Sequence, residues 1–220
     1  MSTIEQERKV DLICTFLFPA GLFLFFILSR LGYAVGSHGD TYIAATHIVM
    51  ALLVAVVPAI RYTRILVFPY PFVAIVTIDL YAYCVPLFLG FYDNIWWWDE
   101  FAHWMSSMLV AMIVFMALCL IQTYGGRTYI PVSVMCFLTF IGGFALGNLW
   151  ELIEGTIDWL FGGNYMQHWM ADTLEDIHMD FIGCLSMALL AWYLLHRKTP
   201  SEIVQDMDER HVIYNRTHRV

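Results

Sequence analysis

Residues 101–122 read FAHWMSSMLVAMIVFMALCLIQ, a stretch without one Asp, Glu, Lys or Arg. As a helix it would rise about 33 Å, enough to cross a hydrocarbon core of roughly 30 Å. Five more apolar runs of similar length flank it. Six spans are therefore expected, over roughly 12–34, 41–60, 65–91, 101–122, 131–159 and 175–196. The connections are short: Gly36, Ser37, His38, Gly39 and Asp40; Tyr62 and Thr63; Gly125, Gly126 and Arg127; and Gly162, Gly163 and Asn164. The fold class expected is all-α, a polytopic transmembrane bundle of about six helices. Residues 1–198 would form a single membrane domain and 199–220 a polar tail.

Composition agrees. The chain is 60% hydrophobic and 14% charged, where a soluble domain carries about 25% charged residues. A net charge of −8, with 11 Lys and Arg and no basic cluster, excludes a nucleic-acid partner of the usual kind. The five cysteines, Cys14, Cys84, Cys119, Cys136 and Cys184, are scattered through apolar runs without a C-x-x-C pair. They read as small packing residues rather than a disulfide framework or thiolate zinc site. Acidic residues precede the first run and no A-x-A site follows it, so it reads as a retained helix rather than a signal peptide. No internal repeat supports an inverted-repeat transporter.

Six spans place Arg8, Lys9, Arg61, Arg64, Arg127, Arg197, Lys198, Arg210, Arg216 and Arg219 on one side, and only Arg30 toward the other. Basic loops stay cytoplasmic, so both termini are expected inside a prokaryotic plasma membrane crossed several times. Seven of the eight tryptophans, all but Trp192, then fall toward the outer face. Twelve of the 19 acidic residues lie between Asp40 and Asp180, also in the outer half.

Those carboxylates recur at helical spacing. In WWWDEFAHWMSS (96–107), Asp99 and His103 are four apart and Glu100 and His103 three apart, so either acid can share a face with the imidazole. In GNLWELIEGTIDW (147–159), Asn148, Glu151, Glu154 and Asp158 fall on one stripe. In MADTLEDIHMDFIG (170–183), Asp172, Asp176 and Asp180 form another, with Glu175 and His178 on a neighbouring face. Asp79 and His47 lie deeper in the third and second spans. By depth, His47, Asp79, His103, Glu151, Glu154, Asp176 and Asp180 are expected to meet in one layer. Negative groups crowded at low dielectric repel unless a cation, a proton or an arginine relieves them.

Three readings of that layer stand at the level of sequence. A divalent-metal site would use His103, Asp99, Glu151, Glu154, Asp176 and Asp180, a hard donor set suited to zinc, manganese or iron. The pairs Glu100–His103 and Glu175–His178 also give a short form of the di-iron bundle inventory. A proton or cation relay would use intramembrane Asp and His residues, with Asp79 the best candidate and His47 and His178 the other intramembrane polar groups. Third, the carboxylates could simply link helices by hydrogen bonds. Gly142, Gly143 and Gly147 read as close-packing positions, and Ser106 and Ser107 after His103 do not make a nucleophile motif.

The run WWDEFAHW, then LWELIEGTIDW, then DIHMDFIG resembles the YjdF-type family of small bacterial and archaeal inner-membrane proteins, over roughly 95–190. The resemblance implies the same fold and singles out Asp99 and His103, Glu151 and Glu154, and Asp176 and Asp180. Two positions depart from the pattern: His178 stands where an aromatic or polar residue is usual, and Trp104 where Phe is common. The resemblance implies no reaction.

The expected function is divalent-metal binding in the outer leaflet, in a membrane-embedded hydrolase or oxidoreductase acting on a lipid or small amphiphile. In the hydrolase version Glu151 or Glu154 is the catalytic base. The alternatives are a proton- or cation-coupled transport component and a non-catalytic accessory subunit.

Overall fold

The computed structural model describes residues 3–35, 40–63, 68, 70–125, 129–161 and 170–207. It is all-helical among these: α1 Thr3–Arg30, α2 Asp40–Thr63, α3 Tyr70–Leu89, α4 Phe91–Asn94, α5 Trp98–Tyr124, α6 Val132–Phe161, α7 Met170–Leu195 and α8 Pro200–Met207. Six of them are long and apolar enough to cross a membrane: Gln6–Arg30, Ile43–Thr63, Phe72–Leu89, Trp98–Tyr124, Val132–Leu160 and Met170–Leu195. These match the six expected runs. The connecting residues Gly36 to Gly39, Arg64, Gly126 and Arg127, Gly162 to Asn164, Trp169 and the stretch 208–220 lie outside the described residues.

Several helices start earlier than hydropathy suggested. α5 begins at Trp98 rather than 101, and α7 at Met170 rather than 175. Asp99 and Glu100 in the first turn of α5, and Asp172 in that of α7, sit where exposed N–H groups and the helix dipole favour negative charge. They extend the helices although they lower the hydropathy. α3 is shorter than expected, ending at Leu89. Gly90 at φ 71 then lets the chain turn into the four-residue α4.

The helices form two packing units, residues 1–96 and 97–206. In the first, Leu22, Met50, Ala51, Val54 and Cys84 make a buried core with Phe18, Leu80, Tyr81 and Tyr83 around it. The Tyr81 hydroxyl donates to the Phe18 carbonyl at 2.6 Å and occupies the space beside Gly21. Asp11 and Arg61 form a buried ion pair, Nε to Oδ1 2.9 Å, with the guanidinium 4.1 Å from the centre of the Tyr70 ring. Removing one partner of such a pair strands the other charge. Arg61→Leu is therefore expected to destabilise the fold by about 3–5 kcal/mol, read as a lowered unfolding midpoint in detergent. A shift under about 1 kcal/mol would show the pair to be solvated.

In the second unit α5, α6 and α7 pack together. Small residues allow the backbones to approach closely. Gly183 of α7 lies against the Trp104 carbonyl and Ser107 of α5, and Gly143 of α6 against Ala111 and Cys184. The large apolar side chains left exposed, such as Phe137, Leu152 and Leu189, make the surface a bilayer requires. After α7 the chain begins α8 with a reciprocal cap. The Thr199 N–H donates to Glu202 Oε2 at 2.7 Å, and the Glu202 N–H donates to Thr199 Oγ1 at 3.3 Å. Ile203 and Val204 are buried.

Candidate metal centre

The cluster lies within the second unit and is built from three helices around one imidazole. His103 stands on α5, one turn after Asp99. Its Nδ1 is 3.3 Å from Asp180 Oδ1 and 3.7 Å from Glu151 Oε1. Its Nε2 is 3.7 Å from Asp176 Oδ1 and 3.9 Å from Asp99 Oδ1. Glu151, Asp176 and Asp180 are buried, while the Asp99 side chain remains 36% exposed. Two donor sets result, Asp99–His103–Asp176 at one ring nitrogen and His103–Glu151–Asp180 at the other, each with ligand atoms within 4.8 Å of one another.

The local sequence explains the convergence. Asp176 and Asp180 are four apart on α7 and therefore share a face. Gly147 of α6 has no side chain where the Asp180 carboxylate lies, so α6 can approach α7 at that level. One turn beyond Gly147, Glu151 comes within reach of His103. Ser107, one turn beyond His103, donates its hydroxyl to Asp180 Oδ1. The Cys184 thiol, 3.6 Å from the Ser107 carbonyl, closes the layer beneath. Ser107 escaped the sequence reading as a site residue. Its i, i+4 relation to His103 was the available signal.

The other expected residues are placed differently. Glu154 is buried three residues after Glu151, within electrostatic reach of Glu151, His103 and Asp176, but belongs to neither donor set. Asp158 is also buried on α6. His178 is exposed, its Nδ1 turned to the Leu174 carbonyl of its own helix, and Glu175 is exposed too. The twin E-x-x-H inventory is therefore not assembled. His47 and Asp79 belong to the first unit. There His47 is buried between Phe25 and Phe88, with Nδ1 2.6 Å from the Ile43 carbonyl, and Asp79 is buried on α3.

Four carboxylates face one imidazole. Among the described residues of α5 to α8 and their connections, Arg197 and Lys198 are the Lys and Arg side chains, seventeen residues past Asp180. That is about 25 Å along a helix axis. Asp180 lies ten residues into α7, too far for the helix terminus to help.

Six apolar spans and a buried histidine–carboxylate cluster define a multi-pass helical membrane protein with a polar centre inside one of its packing units. The chain belongs to the predicted membrane protein family DUF2238, whose model matches residues 18–197. This bears out the expected membrane-protein family under that description, without the YjdF name. A Thermotoga maritima protein described only as uncharacterized is 30% identical over 105 residues, which cover 48% of this chain and 53% of that protein. The match thus spans about half the length of that curated relative. No solved structure matches.

Proposed function

We propose that this chain is a membrane-embedded divalent-metal protein, with zinc, manganese or iron held at His103, acting as a metal-assisted hydrolase on a lipid or small amphiphile. One observation carries the reading. Carboxylates from three helices surround a single imidazole at 3.3 to 3.9 Å, with no lysine or arginine of the second unit described near them. Most of these separations are longer than a hydrogen bond. Two ligands about 2.1 Å from a shared tetrahedral ion lie roughly 3.4 Å apart. The spacing suits donors that share a cation better than donors bonded to one another.

A neutral imidazole has one lone pair, so the two donor sets are alternatives for a single ion. The hydrogen bond between His103 Nδ1 and Asp180, itself supported by Ser107, favours the proton on Nδ1. Asp180 then orients the ring, as carboxylates do behind metal-bound histidines. Nε2 faces Asp176 and Asp99, which complete the ligand set, and the exposure of Asp99 leaves a side for water. A bound ion would supply activated water and polarise an ester or similar oxygen. Glu151 and Glu154 are the carboxylates left to accept the proton, and Glu154 belongs to neither donor set.

A proton or cation relay has less support. Among the described residues there is no Asp, Glu, His, Lys or Arg between His103 and Tyr124, between Val132 and Glu151, or between Asp180 and Leu195.

Zinc titration calorimetry on detergent-purified protein tests the assignment. Asp176→Asn is expected to weaken binding about 100-fold, and Asp180→Asn about 10-fold. The reverse order would move the ion to Nδ1. Unchanged affinity in both variants would remove the metal reading.

A further inference from the structure

A groove of about 500 Å³ runs between α6 and α7, lined by Asn148, Glu151, Gly155, Thr156 and Trp159 on one side and Thr173 on the other. Both helices are membrane spans, and the rim residues Leu152 and Trp159 are 68% and 79% exposed. The groove therefore opens toward acyl chains, while Glu151 links it to the His103 cluster. Trp159 marks the interfacial end. From there to Glu151 is eight residues, about 12 Å. Any polar group reaching Glu151 must leave the headgroup layer and needs polar partners along the way.

Donors and acceptors both line the groove: Trp159 carries an indole N–H and Thr173 a hydroxyl. Thr156 donates its hydroxyl proton to the Leu152 carbonyl at 2.6 Å, and Asn148 donates from Nδ2 to the Phe144 carbonyl at 2.7 Å. Thr156 Oγ1 and Asn148 Oδ1 remain as acceptors, beside one further Asn148 N–H, and Glu151 adds a carboxylate. The electrostatics agree, because four carboxylates exceed the charge of one divalent ion.

We infer that the α6/α7 groove admits the primary-ammonium head of a lipid-borne amphiphile. The inference rests on the reading above in taking the groove as the way to that site. An ammonium supplies three donors and positive charge where the groove supplies acceptors and negative charge. A trimethylated head carries the same charge without donors, and an anionic head has the wrong sign.

Native mass spectrometry of the full chain, titrated with phosphatidylethanolamine, phosphatidylcholine or phosphatidylglycerol, tests this, with zinc content measured on the same samples. Phosphatidylethanolamine is expected to bind about tenfold better than phosphatidylcholine, the worth of one charge-assisted hydrogen bond. Thr156→Val, which removes an acceptor at constant volume, and Gly155→Leu, which fills the groove, should each abolish that preference and leave zinc content unchanged. Equal binding of the two zwitterionic lipids overturns the inference. So does preference for the anionic lipid, persistence of the preference in both variants, or displacement by soluble ethanolamine at millimolar concentration. Protein without zinc that still shows the preference, lost in the variants, keeps the groove and removes only the metal reading.

Discussion

His103→Gln is expected to lower zinc affinity at least about 100-fold, a loss of roughly 2.8 kcal/mol. His103 is the one residue common to both donor sets, so its loss removes the imidazole whichever ring nitrogen holds the ion. Glutamine keeps a polar group of similar reach in the buried layer. It can still donate toward Asp180, which limits the collateral cost of stranding that carboxylate. The comparison that gives the result meaning is His178→Gln. His178 is exposed and turned to its own helix, so that change should leave affinity within about twofold, as expected of a surface substitution away from the site. Calorimetry on both variants at one pH decides the matter. Equal losses would mean that zinc binds the negative surface without selecting the cluster.

Gly183→Leu should be the most damaging of the packing changes. A Cβ at Gly183 would meet the Trp104 carbonyl, with Ser107 Cβ at 3.1 Å and the Met108 nitrogen at 3.2 Å. Backbone cannot step aside as a side-chain end can, so α5 and α7 must separate along the seam that presents His103 to Asp176 and Asp180. A cost of about 3 kcal/mol or more is expected, seen as a lowered unfolding midpoint, with zinc binding lost in the same variant. Gly142→Ala gives the scale. Its Cβ would have the Val114 side chain as nearest neighbour, at 3.0 Å, and should cost under about 1.5 kcal/mol. If the two variants are equally stable, the close α5/α7 seam does not hold the unit together.

The spans were legible because lipid imposes one simple requirement, a continuous apolar run of fixed length. Their ends were less so. Asp99 and Asp172 look like loop residues on a hydropathy scale, yet helix N-termini welcome them. At the cluster, four-residue spacing identified the α7 stripe but could not say whether it or the neighbouring Glu175 and His178 face turns inward. Asp176 and Asp180 are buried, whereas Glu175 and His178 face out. That choice is made by how α7 rotates against Gly147 and Ser107, a property of neighbouring helices that no single-helix period contains. Arg61 teaches the same lesson in the first unit. In the sequence it serves only to orient the chain, yet it pairs with Asp11, fifty residues away.

X-ray absorption at the zinc edge of the reconstituted protein reads the ligands of the ion themselves. Nitrogen and oxygen neighbours are expected at about 2.0–2.2 Å, with outer-shell scattering from one imidazole that disappears in His103→Gln. A sulfur shell near 2.3 Å, or a spectrum without imidazole scattering that the substitution leaves unchanged, would contradict that ligand set.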